Sequence, residues 1–242
     1  MNDKLTRARQ ALTAARQIAV LTGAGMSTEA GIPDFRSATG PYSRKHDYPP
    51  EYLLSIDCLE THPELFFDYL RTNLNFQGVQ PDAAYRLLAA LEQQKRVSGI
   101  ITQNIDGLHA AAGSQRVVEA HGSLARFYCN GCGRHADASK QMQPTAPFHC
   151  ECGGLLRPDV VLYGEALPSI DVAFELADRS DALLVLGTSL VVYPIAALPQ
   201  RCLSLGKPVV IINRDATGYE HAEGVVELHS SIGETLPLLF AE

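Results

Sequence analysis

Short apolar runs that end in polar or glycine-rich segments recur along this chain, with helical patterns between them. This alternation limits the fold more than any other feature. Ile18-Ala19-Val20-Leu21 reads as a buried strand ending at Thr22-Gly23-Ala24-Gly25, and residues 97–102, 116–120, 160–163, 182–186, 208–212 and 225–228 read as further strands. Leu5, Ala8, Leu12 and Ala15 fall on one face of a predicted helix. Pro81 and Asp82 open another that carries Leu87, Leu88 and Leu91. Ile170, Ala173, Phe174 and Ala177 mark a third, and Pro194 starts a fourth that Gly206 closes. Ser231 and Glu234 form a capping-box pattern for the last helix. Strands that are apolar throughout, and that alternate with helices, are covered on both faces. The expected fold class is therefore α/β, with a mostly parallel, doubly wound sheet.

The polar residues follow the strands. Gly23-Ala24-Gly25 follows the first, Gln103-Asn104-Ile105-Asp106 the second and His121-Gly122 the third, and Gly187-Thr188-Ser189 and Asn213-Arg214 follow two later ones. In an open parallel sheet, ligands bind off the carboxyl ends of the strands at the switch point, so these five segments are expected to converge on one cleft. Strand ends carry polar turn residues in any fold, which is the simpler explanation for any one of them. Gly23-Ala24-Gly25 suits a phosphate-binding turn, with Ser27, Glu29, Asp34 and Arg36 crowded behind it. Thr28 stands where the third glycine of G-x-G-x-x-G would be, so an ordinary tight turn fits the same residues. His121, at a strand end inside the expected cleft, is the candidate general base, in competition with His46, His62, His109, His135, His149, His221 and His229.

Residues 124–157 break the alternation and hold four of the six cysteines. Cys129 and Cys132 form one pair and Cys150 and Cys152 another, with 17 residues between Cys132 and Cys150. Two close pairs at this separation suit a tetrahedral zinc ribbon whose four thiolates fill the coordination sphere, so the metal would be structural. Free thiols or two disulfides are the alternatives, and His135 and His149 lie close enough to substitute as ligands. Cys58 and Cys202 read as buried hydrophobes.

The run from Gly23 through Ser27, Glu29, Gly31, Asp34, Phe35 and Arg36 to Ser37 closely resembles the sirtuin signature, and so does Thr102-Gln103-Asn104-Ile105-Asp106-Gly107-Leu108-His109. His121-Gly122, the four cysteines, Val161-Leu162-Tyr163-Gly164-Glu165, Gly187-Thr188-Ser189 and Asn213 follow in the family's order, from about residue 15 to 240. The resemblance implies a bacterial-type NAD-dependent protein-lysine deacylase. It implies a Rossmann-like domain of residues 1–36, 78–123 and 158–242. A small inserted domain would combine a helical module (37–77) with the zinc ribbon (124–157). NAD is consumed: the acyl oxygen attacks the nicotinamide ribose, nicotinamide leaves, and His121 acts as base on a ribose hydroxyl that attacks the acyl carbon. Lysine, nicotinamide and O-acyl-ADP-ribose are the products.

Residue by residue, the resemblance places Gly23, Ala24, Gly25 and Ser27 at the phosphates, with Glu29, Asp34 and Arg36 in the cofactor loop. Phe35 would keep water from the reacting ribose. Gln103 and Asn104 would bond the ribose hydroxyls, Asn104 beside His121 in the reaction, and Ile105 and Asp106 would hold nicotinamide. Gly187, Thr188, Ser189, Asn213 and Arg214 would serve the adenosine side. Val161, Leu162, Tyr163, Gly164 and Glu165 resemble the segment that pairs with the substrate backbone as an added strand. Phe67 and Leu70 align with the Tyr and Arg that succinyl- and malonyl-preferring sirtuins carry. An apolar pair there makes a buried carboxylate costly, so neutral acyl groups are expected, acetyl and longer chains included.

The formal charge is −7, which opposes a general nucleic-acid binder while suiting lysine-rich protein partners. Residues 1–17 carry charges throughout and lack a signal-peptide core, and no apolar run reaches the roughly 18 residues of a membrane span. A cytoplasmic protein, monomeric by default, is expected. ADP-ribosyl transfer or NAD hydrolysis would use the same cleft. A binding module built around the ribbon, or a hydride-transferring dehydrogenase, fits the residues less well.

Overall fold

The computed structural model describes residues 2–34, 40, 42, 45 and 47–241. Phe35 and Arg36, both expected at the cofactor, lie outside the described residues. Six strands form one sheet: β1 (Ile18–Thr22), β2 (Val97–Thr102), β3 (Val117–Glu119), β7 (Ala182–Leu186), β8 (Val209–Ile212) and β9 (Val225–Leu228). Their order is β3-β2-β1-β7-β8-β9, and every neighbouring pair is parallel. The order reverses between β1 and β7, which is the switch point of a doubly wound sheet.

Successive strand residues feed two different cores. Val20, Ile100, Leu184 and Val210 pack on one face against α1 (Asn2–Ala14), α5 (Ala83–Gln93) and α10 (Ile232–Phe240). Leu21, Ile101, Val185 and Ile211 pack on the other against α8 (Ile170–Arg179) and α9 (Leu198–Ser204). A strand covered on both faces needs an apolar residue at each position, which is why these runs do not alternate. The Asp82 carboxylate starts α5 by accepting from the N–H groups of Ala84 and Tyr85, a cap that contributes about 1 kcal/mol.

The small module holds an antiparallel sheet in the order β5-β4-β6, from β4 (Gly122–Cys129), β5 (His135–Ala136) and β6 (Leu156–Val160). Helices α2 (Pro50–Leu53), α3 (Ile56–Thr61) and α4 (Pro63–Asn73) pack on it, so Phe66, Leu70 and Leu74 share a core with Leu124, Phe127 and Val160. Residues 124–157, read as a zinc ribbon that interrupts the alternation, hold most of β4, all of β5, the start of β6 and the short α7 (Ala138–Gln141). One expectation is corrected here. The apolar run 160–163 is not a strand of the parallel sheet: β6 ends at Val160, antiparallel to β4. The reason lies at Gly122, whose φ of +76° turns the chain out of the main sheet directly after His121. A Cβ there would sit 2.1 Å from the Asp159 carbonyl oxygen, so only glycine lets β4 and β6 meet at this point.

Candidate functional site

At the switch point the turns after β1 and β7 interlock backbone to backbone. The Gly25 N–H donates to the Gly187 carbonyl (2.8 Å), and the Gly23 N–H to that of Leu186 (3.0 Å). Gly187 has a φ of +60°, and a Cβ on it would lie 2.3 Å from the Met26 nitrogen. A Cβ on Gly23 would lie 2.6 Å from that of Thr188. The glycines therefore have a packing reason to be glycine that does not depend on an anion. The same packing aligns the two turns along one wall of a cavity of about 770 Å³.

All five polar segments reach this cavity. Ala24, Gly25, Glu29 and Asp34 line it from the β1 side, Gln103, Asn104, Ile105 and His121 from β2 and β3. Gly187, Thr188 and Ser189 continue the same wall, Asn213 and Arg214 line the cavity from the end of β8, and Leu70 and residues 161–165 form the wall of the small module. Ser27 and Asp106 instead line a narrow recess that adjoins it, shared with Ala24, Asn104 and Ile105. Gly23 lines neither, and nor does Phe67, which is fully buried and stacks on Phe148 with ring centroids 5.2 Å apart. Leu74, two helical turns beyond Phe67, lines this wall together with Leu54 and Val160, and none of the three stands out in the sequence pattern. Arg71 is turned from the cavity: its guanidinium lies over the Phe67 ring and donates to the carbonyls of Gln141 and Ala146.

His121 is held in one tautomer. Its Nδ1 lies 2.9 Å from the Gln103 carbonyl oxygen, which can only accept, so Nδ1 carries the proton and Nε2 keeps a lone pair. Burial pushes the imidazole's pKa down and the bond to Gln103 opposes this, with a net lowering from the ordinary 6.5. The ring is therefore a neutral base at pH 7. Beside it, the Gln103 Oε1 accepts from Thr188 Oγ1 (3.0 Å), while its buried Nε2 has no partner among the described residues. Both NH₂ hydrogens of Asn104 are engaged, by the Gly23 carbonyl (3.0 Å) and Ser27 Oγ (2.9 Å), so Oδ1 is the amide atom left to accept from a ligand.

Several predicted residues do more structural work than expected. The Ser27 hydroxyl donates to Asp106 Oδ2 (2.6 Å) and also contacts Tyr85 Oη (2.8 Å), so it serves the recess instead of facing the phosphate turn. Glu29 accepts from Ser231 Oγ (2.8 Å) and the Gly233 N–H (3.1 Å), so it ties the β1 turn to the first turn of α10, where Ser231 Oγ accepts the Glu234 N–H. Glu165 is bidentate to buried Arg157 (2.7 and 2.8 Å) and accepts from the Leu162 N–H (2.8 Å), which fixes the 161–165 segment. The bond to Arg157 holds the Glu165 carboxyl below its usual range. Tyr163 is pinned on its other side, N–H to the Leu54 carbonyl (3.1 Å) and carbonyl to the Ile56 N–H (3.1 Å). Val192 and Tyr193 line the cavity as well, with Tyr193 71% exposed. The apolar run Leu190–Tyr193 directly before Pro194 is the sequence feature that could have pointed to this wall.

The four cysteines converge as well. The sulfurs of Cys129, Cys132, Cys150 and Cys152 all lie within 4.8 Å of one another, with no histidine among them. Cys129 and Cys152 are 3.5 Å apart, Cys132 and Cys150 3.9 Å. These distances are far too long for a disulfide. They match the edge of about 3.8 Å expected for four sulfurs placed tetrahedrally around zinc. The N–H groups of Gly131 and Gly154 point at Cys129 and Cys152 sulfurs (3.3 and 3.4 Å), as thiolates favour.

The model of the Sir2 family matches residues 23–194. The chain belongs to the Sir2 family. Its relatives include an NAD-dependent protein deacetylase of Cutibacterium acnes, 51% identical over 88% of each chain. Another, from Staphylococcus aureus, is 40% identical over the full length of both. A solved Sir2 structure with a deacetylated p53 peptide and 3′-O-acetyl ADP ribose superposes with a TM-score of 0.88, at 33% identity over 97% of this chain and 96% of that one. A Sir2 complex with p53 peptide and NAD⁺ gives 0.81 at 35% identity, covering 93% and 92%. For this Sir2 chain, the matched span holds the β1 turn, His121, the cysteine cluster and the 161–165 segment.

Proposed function

We propose that this Sir2 chain is an NAD-dependent enzyme that removes acetyl and other neutral acyl groups from protein lysine. The observation that carries the reading is His121: a neutral imidazole, locked by Gln103, whose basic Nε2 serves the same cavity as the interlocked glycine turns. NAD supplies the electrophilic ribose carbon and the nicotinamide leaving group. The protein's part is positioning and proton transfer. The unpaired Gln103 Nε2 and the Asn104 Oδ1 offer a donor and an acceptor to ribose hydroxyls. His121 Nε2 takes the proton of the hydroxyl that attacks the acyl carbon. Asp106 and Ile105 hold the nicotinamide side, Thr188, Ser189 and Asn213 the adenosine side, and the Arg157–Glu165 pair stiffens the edge on which the peptide adds as a strand. Four thiolates fit one structural zinc ion.

Among the described residues no helix is long and apolar enough to cross a membrane. We place the enzyme in the cytoplasm, as a monomer acting on acylated proteins and not on nucleic acid. The deciding experiment is nicotinamide release from NAD by the purified protein, with and without an acetyl-lysine peptide, with mass spectrometry of the products. Peptide-dependent release with O-acetyl-ADP-ribose supports the reading. Release without peptide would replace it with NAD hydrolysis or ADP-ribosyl transfer.

The acyl end of the cavity is walled by Leu54, Leu70, Leu74, Val160 and Leu162, while Arg71 faces elsewhere. A buried carboxylate would have no cation among these described residues. Acetyl-lysine peptide is expected to turn over at least about tenfold faster than its succinyl counterpart at equal concentration, since leaving one charge unpaired costs more than 1.4 kcal/mol. Faster succinyl removal would overturn the neutral-acyl assignment.

A further inference from the structure

Tyr85 lies on α5, which contributes no residue to the lining of the cavity, and its side chain is fully buried. Its hydroxyl nevertheless reaches Ser27 Oγ (2.8 Å), at the recess beneath the cavity. The direction of each bond follows from the chemistry of the partners. Ser27 has one proton, and the Asp106 carboxylate, 2.6 Å away, is the strongest acceptor it meets. Ser27 must then accept from Tyr85 and from the Asn104 amide (2.9 Å), whose NH₂ can only donate. Ser27 is left with one donation and two acceptances, fully satisfied, and its proton has one place to go. Asp106 Oδ1 is fixed separately by the Leu108 N–H (2.8 Å).

The rest of the pocket floor keeps Tyr85 in place. Its ring packs against the His109 imidazole, with centroids 4.6 Å apart. His109 Nε2 is 2.9 Å from Thr22 Oγ1, which donates to Thr102 Oγ1 (2.9 Å), and Thr102 Oγ1 accepts the Asn104 N–H (3.0 Å). Two buried chains, one from Tyr85 and one from His109, thus converge on Asn104, and the Tyr85 chain continues through Ser27 to the carboxylate.

We infer that Tyr85 is a positioning residue for the nicotinamide side of the site, acting through Ser27 on the orientation of Asp106. The inference rests on the assignment of Asp106 to nicotinamide. Without the Tyr85 hydroxyl, Ser27 loses a donor, so the hydroxyl that Asp106 accepts from is less firmly oriented and less polarised, and the carboxylate's fixed partner is weakened while its burial is unchanged.

The test uses Tyr85→Phe, which keeps the buried ring, together with Asp106→Asn as the reference variant. For each full-length variant, the inhibition constant for nicotinamide, the rate of labelled nicotinamide exchange into NAD, the peptide KM and the melting temperature are measured. Tyr85→Phe is expected to raise the nicotinamide inhibition constant, or slow exchange at low nicotinamide, by about tenfold, as for one lost buried hydrogen bond. Peptide KM should stay within about twofold, a split that a merely structural role would not produce. Exchange altered by Asp106→Asn and unaltered by Tyr85→Phe would overturn the role of Tyr85 alone. Exchange unaltered by Asp106→Asn would overturn the nicotinamide assignment and the inference with it. A parallel rise in nicotinamide inhibition constant and peptide KM for Tyr85→Phe, with a lowered melting temperature, would reduce Tyr85 to a core residue.

Discussion

Replacing His121 by Ala should lower the rate of acetyl-lysine turnover by roughly 10²- to 10⁴-fold, the range for losing a positioned general base. The fold should tolerate the change, because the side chain makes one hydrogen bond, to the Gln103 carbonyl, and is only partly buried. Binding of NAD should survive, since the β1 and β7 turns are fixed by their own backbone bonds. Nicotinamide exchange should survive better than deacetylation, because the proton transfer assigned to His121 follows nicotinamide departure. The pH profile supplies an independent check. Burial lowers the pKa of His121 below 6.5, so the base is neutral and active above that value. Activity should be level above about pH 6.5 on this group's account and should fall as the pH drops through the lowered pKa. The falling limb should be missing from the residual activity of the variant. Near-normal deacetylation by His121→Ala would remove the histidine from the base role.

Much of this site was legible because strand ends in a parallel sheet must converge. Gln103, Asn104, His121, Thr188 and Asn213 could be grouped from the strand pattern before any distance was known, and all five reach the cavity. What the pattern could not carry was the direction of a side chain. Phe67 and Leu70 lie three apart on α4, yet Leu70 reaches the cavity while Phe67 turns to Phe148. Glu29 and Ser27 sit within the signature, but their polar atoms are taken by α10 and by Asp106, partners about 200 and 79 residues away in the chain. The run 160–163 misled for a related reason. Its apolar character fits a parallel strand, and the turn that diverts the chain rests on the positive φ of one glycine, Gly122, which hydrophobic periodicity does not report. Tyr85 gave no signal at all, because a tyrosine among leucines on an amphipathic helix reads as core, and its contacts with Ser27 and His109 are what distinguish it.

Replacing Cys129 by Ser should release the metal and cost on the order of 4 kcal/mol or more of stability, because binding energy at a structural zinc site is folding energy. The expected result is zinc near one equivalent in the unaltered protein, near none in the variant, and a clearly lower melting temperature. The geometry explains why the loss would not stay local. Cys129 closes β4, and β4 opens at Gly122, directly beside the base; β6 runs from the ribbon to Val160, where the peptide edge begins. Slack in this small sheet would therefore reach both His121, whose carbonyl accepts from the Val161 N–H (2.9 Å), and the 161–165 segment. Gly154→Ala is a gentler probe of the same point, since its Cβ would lie 2.7 Å from the Cys129 sulfur and 2.9 Å from the Gly131 nitrogen. With all four ligands kept, that variant should hold zinc more weakly against a chelator and melt at an intermediate temperature. Serine at position 129 with no zinc, an unchanged melting temperature and full turnover would show that the four thiols stabilise the sheet without a metal, and the structural-zinc assignment would fall.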